Sequence, residues 1–222
     1  LFGIDSFVHV VKRGARGMPI TGDEADQLRF LRLLYYMNDE HLDANWYRID
    51  SRDMFFRPDS WPKRNPLVAV VAYTLMPNHI HLLMQETCEG GVSNFMQKIG
   101  QSMTNHHNEK YHEKGSIFQG SYRGRTIGDD EYLRYAAVYI MVKNVFELYP
   151  KGGLRGASEH FEDAWKWGSG YRFSSFGEYA RKHQSPILER ALMADVFPST
   201  HDFKNFARDV IGGGKWLQTE FE

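Results

Sequence analysis

The sequence predicts a mixed fold, in which strands form an antiparallel sheet and helices pack against it. Two patterns carry this prediction. Leu67–Gln85 contains two apolar segments on either side of the turn Met76–Asn78, as in a β-hairpin. Three other segments place apolar residues at the spacing of a helix face. The 222 residues, of which 42% are hydrophobic, suffice for one well-packed core.

The strands are predicted from β-branched and apolar runs. Phe7–Arg13 ends at Gly14 and is the first of them. Leu67–Leu75 is an almost unbroken apolar run, which is typical of a strand covered on both faces. His79–Gln85 follows the turn as its antiparallel partner, and Gly115–Ile127 is expected to contain a further strand.

The helices are predicted from apolar residues that recur at helical spacing, and they end near Asn38, His112 and Lys143. The first begins at a capping box formed by Thr21 and Glu24. Paired aspartates at positions 129 and 130 put negative charge where the third helix begins, which stabilises a helix N-terminus.

The remaining segments set the predicted domain organisation. Residues 39–66 are expected to be an irregular connection with at most a short helix. Pro150–Gly156 is glycine-rich and indicates a linker. We therefore expect one domain over residues 1–150 and a small helical C-terminal extension over residues 151–222, which could pack on the core.

Composition excludes some classes of protein and weakens others. A formal net charge of −1 is not that of a clearly basic nucleic-acid-binding domain, although Lys12, Arg13 and Arg16 cluster locally. The single cysteine, Cys88, excludes an intramolecular disulfide, so we expect a reducing, cytoplasmic location. No apolar run approaches the roughly 20 residues of a membrane-spanning helix, so no membrane partner is expected.

Two histidines share one strand of the predicted hairpin. Residues two apart in a strand point to the same face, so His79 and His81 present two imidazoles side by side. Imidazole is a common ligand for divalent transition metals. The alternative is that the pair is structural, because the chain has ten histidines. A metal site here would need at least one further oxygen or nitrogen donor.

Three tyrosines, Tyr132, Tyr135 and Tyr139, follow one stripe of the third predicted helix. Such a stripe is commonly core packing. A tyrosine can also act as a covalent nucleophile towards phosphorus, and a metal that polarises the phosphate supplies the activation. The residues alone leave both interpretations open.

Five stretches, in this order along the chain, resemble the HUH single-tyrosine transposases, in particular the REP-associated tyrosine transposases. The resemblance covers residues 7–210 approximately, without residues 39–66. The stretches are His9-Val10 with Arg13-Gly14, Tyr73–Met84 (YTLMPNHIHLLM), Gly115–Arg123 (GSIFQGSYR), Asp130–Leu133 leading into Val138–Ile140, and Tyr171–Phe176 (YRFSSF).

The resemblance implies an α+β fold with a ferredoxin-like antiparallel sheet and packed helices, the HUH nuclease core, within residues 1–150. It implies that His79 and His81 bind Mg²⁺ or Mn²⁺ and that Tyr139 is the nucleophile. It further implies that the substrate is single-stranded DNA beside a hairpin, cut through a 5′-phosphotyrosine, and that the protein is a homodimer. Tyr135 and Tyr139 together also resemble the two-tyrosine arrangement of HUH replication initiators.

The sequence departs from the family pattern at one position. The family places a third metal ligand, glutamine or asparagine, four residues after the tyrosine, where this chain has Lys143 and then Asn144. On a regular helix Lys143 lies about 40° from Tyr139 and Asn144 about 140° away. A one-residue π-bulge would restore Asn144 as the ligand. Otherwise Lys143 is a candidate phosphate contact.

Four arginines are candidate DNA contacts, because a guanidinium fork matches the geometry of phosphate. They are Arg13, Arg16, Arg123 and Arg125. Two rivals to a DNA strand transferase remain open. One is a non-catalytic, domesticated nucleic-acid-binding protein, and the other is a hydrolase that uses a metal-bound water, with Tyr139 in the core.

Overall fold

The computed structural model describes residues 2–49, 53–181, 184–194 and 196–213. Within them, one antiparallel sheet has the strand order β2-β3-β1-β4. Its strands are Phe7–Arg13 (β1), Val68–Met76 (β2), His79–Glu86 (β3) and Arg123–Ile127 (β4).

Helices cover both faces of this sheet. A π-helical turn, Tyr139–Lys143, continues one helix directly into the next. The helices are Glu24–Tyr36 (α1), Gly91–Tyr111 (α2), Asp130–Val138 (α3), Asn144–Glu147 (α4), Gly153–Glu159 (α5), Phe161–Gly168 (α6), Phe176–Arg181 (α7), Ala191–Ala194 (α8) and Thr200–Gly212 (α9), with short 3₁₀ turns at Ala15–Gly17 and Trp46–Arg48.

The chain order β1-α1-β2-β3-α2-β4, combined with this strand order, is the ferredoxin-like topology. The predicted α+β fold class is confirmed. Residues 39–66 contain one 3₁₀ turn in their described part, in agreement with the predicted irregular connection.

Alternation along the strands divides the interior into two apolar layers. On one face, Val10 of β1 and Ile80 of β3 pack in a cluster with Phe95 of α2 and residues of α1. On the other face, Leu83 of β3 lies in a second cluster with Ile140 of the π turn. Because His9, His79 and His81 have the same alternation as Leu83, they belong to the second face.

The residues after 150 contribute to the second apolar layer. Trp165, Phe176 and Phe203 are buried in the same cluster as Phe146 of α4. The segment 173–175 also pairs with the exposed edge of β2, where the amide of Leu75 donates to the Phe173 carbonyl at 2.9 Å. This pairing protects an edge strand that would otherwise be open to other chains.

Two local predictions were wrong. The cap of α1 is Asp23, whose carboxylate accepts from the Asp26 amide at 3.0 Å, and Thr21 lies outside the helix. The predicted linker at Pro150–Gly156 is mostly helix, because Gly152 and Gly153 adopt left-handed φ values of 95° and 59° in a tight turn and α5 begins at once.

Replacing Phe176 by alanine is expected to destabilise the whole described fold by about 3–5 kcal/mol, because it empties a buried site between three aromatic rings. The free energy of unfolding in denaturant measures the loss. Phe56→Ala is the matched control, since Phe56 is 44% exposed and its loss should cost at most about 0.5 kcal/mol. Selective loss of structure after residue 150, with the sheet unaffected, would contradict a shared core.

Candidate active site

Three histidines meet on the second face of the sheet. His9 of β1 and His81 of β3 are each 1% exposed, and their Nε2 and Nδ1 atoms lie 2.9 Å apart. The rings of His79 and His81 meet edge-on, with centroids separated by 4.8 Å. The predicted histidine pair is therefore a trio, of which His9 was not identified from the sequence as a site residue.

Burial keeps two of these imidazoles neutral. Desolvation lowers the pKa of His9 to about 3. Desolvation, followed by the charges of His9 and His79, holds the pKa of His81 well below its ordinary value. A neutral imidazole has one nitrogen with an available lone pair, which is the form that a metal binds.

Hydrogen bonds orient both histidines of the hairpin through Nδ1. The Nδ1 atom of His79 lies 2.6 Å from the amide oxygen of Asn78, which can only accept, so His79 donates there. The Nδ1 atom of His81 is bonded to His9. Such Nδ1 bonds fix the tautomer and the ring orientation of metal-binding histidines. His79 and His81 therefore have Nε2 as their candidate ligand atom.

Tyr139 packs against this trio. Its ring centroid lies 5.6 Å from that of His81 and 6.0 Å from that of His9. Tyr135, one α-helical turn earlier, packs instead against Phe206 of α9, at 5.2 Å between ring centroids.

Lys143 is the cation next to the Tyr139 hydroxyl. Its Nζ lies 3.5 Å from the phenol oxygen and forms an ion pair with Glu147 at 2.5 Å. Burial lowers the pKa of Lys143, but the hydrogen bond to Glu147 and the proximity of Tyr139 outweigh burial and raise it. Lys143 therefore stays charged, and its charge favours negative charge on the neighbouring phenol oxygen.

The π turn changes the position of Asn144 relative to Tyr139. The amide of Asn144, which in an α-helix would donate to the Ile140 carbonyl, donates to the Tyr139 carbonyl instead. The extra residue brings Asn144 one turn above Tyr139 on the same side of the helix. Asn144 is 1% exposed, and its Nδ2 atom has no hydrogen-bond partner in the described part of the chain.

Two hydroxyl side chains support the π turn. Thr74 of β2 places its hydroxyl 2.6 Å from the Ile140 carbonyl, which is the carbonyl that Asn144 leaves. The Ser174 hydroxyl lies 2.8 Å from that of Thr74. Ser174 belongs to the YRFSSF stretch, whose role the sequence left unassigned. These two residues were missed because a threonine in a strand and a serine in a loop carry no local signal.

Three of the four arginines predicted to contact DNA lie on the histidine face. By strand register, Arg13 lies opposite His79, Arg125 lies opposite His9, and Arg123 is two residues away on β4. All three therefore belong to the histidine face. Arg16 is exposed in the 3₁₀ turn after β1. Lys12, which the sequence grouped with Arg13 and Arg16, points to the opposite face.

The donors for a metal ion would be the two hairpin histidines and the Asn144 amide. Among the described residues, no three or more His, Cys, Asp or Glu side chains form a metal site. A set of two imidazoles and one amide oxygen agrees with that finding, and nitrogen and oxygen donors of this kind suit a divalent cation. The unsatisfied atom of Asn144 is Nδ2, which donates hydrogen bonds and does not itself bind a cation. None of the described helices is long and apolar enough to cross a membrane.

Residues 63–143 match the family model described as "Transposase IS200 like". This segment contains His79, His81 and Tyr139, and its match to that family agrees with the resemblance that the sequence motifs indicate. The match supports a transposase-like role in DNA processing.

One solved structure similar to this chain is that of a REP-associated tyrosine transposase bound to a REP hairpin. The identity is 14%, the alignment covers 84% of this chain and 85% of the other, and the TM-score is 0.47. No curated protein matches this chain.

Thr74→Val is expected to lower the free energy of unfolding by about 1–3 kcal/mol, because the Ile140 carbonyl and the Ser174 hydroxyl lose a buried partner of unchanged shape. Chemical denaturation measures the difference. Thr126→Val, on the exposed surface of β4, is the matched control and should change stability by at most about 0.5 kcal/mol. Equal effects at the two positions would show that the hydroxyl of Thr74 does not support the π turn.

Proposed function

We propose that the protein cleaves and rejoins single-stranded DNA through a covalent 5′-phosphotyrosine at Tyr139. The observation that carries this proposal is the contact of the Tyr139 ring with two buried, neutral histidines on one side, together with the ammonium of Lys143 beside its hydroxyl. Packing alone would not require a buried lysine next to a phenol oxygen in this position.

In the proposed reaction the phenol oxygen of Tyr139 attacks the scissile phosphorus. A Tyr139–phosphorus bond forms, the bond from phosphorus to the 3′ oxygen breaks, and the 3′ oxygen leaves with a proton as a hydroxyl. Lys143 stabilises the negative charge that develops on the phenol oxygen as its proton departs. Attack by a 3′ hydroxyl on the phosphotyrosine reverses these steps and rejoins a strand.

His79, His81 and Asn144 would hold the divalent cation, Mg²⁺ or Mn²⁺. When bound, such an ion polarises the phosphate and reduces its negative charge towards the nucleophile. Asn78 and His9 keep the two imidazoles in their orientation through the Nδ1 bonds.

The DNA strand would lie along the histidine face and the β4 edge. Arg13, Arg123 and Arg125 are placed there by register, and Arg16 is exposed nearby in sequence. Aromatic and arginine side chains at such a surface suit unpaired bases. A hairpin beside the cleavage site and a homodimer complete the proposal, and both rest on the family resemblance.

Tyr139→Phe is expected to abolish a covalent protein–DNA product, because it removes the attacking oxygen and leaves the ring packing intact. The measurement is denaturing electrophoresis after incubation with Mn²⁺ and labelled single-stranded DNA carrying a hairpin. Tyr135→Phe is the control, since its ring packs against Phe206, and it should keep the product at a rate within about threefold of wild type.

The same gel separates the rival functions. Strand cleavage by both the wild type and Tyr139→Phe, without any covalent band, would indicate attack by water and refute the tyrosine mechanism. Binding of the hairpin by the wild type, with neither cleavage nor adduct under any metal condition, would identify a non-catalytic binding protein.

His9→Leu is expected to weaken Mn²⁺ binding about 10- to 100-fold, the usual effect of removing the partner that orients a metal ligand. Titration followed by the electron paramagnetic resonance of free Mn²⁺ measures the affinity. His9→Gln keeps an acceptor near the position of Nε2 and should restore much of it, whereas a purely steric role for His9 would leave leucine and glutamine equivalent.

A further inference from the structure

A groove lies on the face of the sheet opposite the histidines, with a cavity volume of about 530 Å³. Its floor contains Lys12 of β1 and Phe118, and its walls are α2 and the segment between α2 and β4. Amide and hydroxyl side chains line it, among them Gln97, Gln101 and Ser121. Of the described residues around it, none carries a carboxylate.

Lys12 is a buried cation in this groove. Its side chain is 9% exposed, its Nζ donates to the Gly120 carbonyl at 2.9 Å, and Nζ lies 4.6 Å from the centre of the Phe118 ring. Gly100 of α2 makes room for it, since a Cβ there would come within 2.9 Å of the lysine Cε.

The partners of Lys12 are all uncharged. Within the described residues no carboxylate forms an ion pair with it, and burial lowers its pKa. A lysine so deeply buried is usually paired with an anion, because the cost of removing its charge from water is otherwise uncompensated. An anion that enters the groove from outside would supply the missing charge.

We propose that this groove, the Lys12 groove, binds a backbone phosphate of the DNA. The inference deepens the proposed function and rests on it for the identity of the ligand. Lys12 contributes the charge, while the amide and hydroxyl side chains of the walls donate hydrogen bonds to phosphate and sugar oxygens. Because Lys12 lies on the other side of β1 from His9, this contact is separate from the cleavage centre.

The β4 strand explains how one nucleic acid can reach both faces. β4 is an edge of the sheet, so DNA can pass around it. Tyr122 lines the groove just before β4 and its hydroxyl lies 2.8 Å from that of Ser93, whereas Arg123 and Arg125 lie on the histidine face. A DNA strand that crosses the β4 edge would contact the arginines on one face of the sheet and Lys12 on the other.

The test is fluorescence anisotropy with a labelled hairpin DNA that has a single-stranded flank, measured for the full chain over a range of NaCl concentrations. Lys12→Met keeps the length of the side chain and removes the charge. We expect it to weaken binding about tenfold, as for one charge-assisted hydrogen bond. The slope of log affinity against log salt should fall by about 0.7–0.9, the value for one phosphate contact.

A second variant tests the same groove by a substitution at an exposed position. Gln97→Glu adds a carboxylate at an exposed position in the groove and should also weaken binding several-fold. Gln27→Glu on α1 adds the same charge outside the groove and should leave the affinity within about twofold of wild type, because separated surface charges are screened by salt.

The outcomes separate this inference from the proposed function. Phosphate binding in the Lys12 groove would be refuted if Lys12→Met left the DNA affinity and the salt slope unchanged. It would also be refuted if Gln97→Glu and Gln27→Glu lost equal affinity. Neither result would affect the tyrosine mechanism. Millimolar inorganic phosphate that weakens DNA binding at constant ionic strength in the wild type, but not in Lys12→Met, supports the contact, because the ion and the DNA backbone then compete for the same groove. Phosphate that binds the wild type but not Lys12→Met, and leaves the DNA affinity unchanged, would assign the groove to a free anion and overturn it as a DNA contact.

Discussion

The hydrogen bond from Thr74 to the Ile140 carbonyl is the contact on which the rest of the site depends. A π turn inside a buried helix leaves a carbonyl without its usual helical donor, and such a group is costly in an apolar layer. Thr74 satisfies it at 2.6 Å, and Ser174 in turn approaches Thr74 at 2.8 Å. A strand of the sheet and a segment beyond residue 150 thus stabilise together the irregularity that aligns Asn144 with Tyr139.

Hydrogen bonding also offsets the cost of burying the histidines. Two imidazoles on an apolar sheet face cost free energy unless their polar atoms are bonded. His9 and His81 reduce that cost by bonding each other at 2.9 Å, and burial holds both in the neutral form. Places where a sequence accepts such polar burial are commonly functional, because packing alone would favour apolar residues there. The π turn begins at Tyr139, whose ring packs against the histidine pair. The irregular helix and the buried imidazoles, which both cost free energy, therefore lie at one site.

Local periodicity was enough to predict the hairpin, the shared face of His79 and His81, and the helix that carries Tyr139. Together with the family resemblance, it indicated that Asn144 could be a ligand only if the helix were irregular, as in a π turn, because the angle from Tyr139 on a regular helix is large. It could not identify His9, Thr74 or Ser174 as parts of the site, since their contacts join residues 66 to 100 positions apart. Such contacts depend on tertiary packing, which no single segment encodes. The same reason explains why Lys12 was grouped with Arg13, although adjacent strand residues point to opposite faces.

A net charge of −1 is compatible with binding DNA because several acidic residues pair with cations away from the histidine face. Asp26 bonds Lys110 at 2.7 Å on the α1–α2 side, and Glu162 pairs with Lys204 and Arg208 near α9. The histidine face instead has Arg13, Arg123 and Arg125 on or in register with the strands that carry the histidines. A polyanion such as DNA responds to the electric field near the surface that it contacts. At physiological salt, the ion pairs described above are screened at distances beyond roughly 8–10 Å. The neutral total therefore conceals a basic edge at β4, and it is this edge that joins the histidine face to the Lys12 groove.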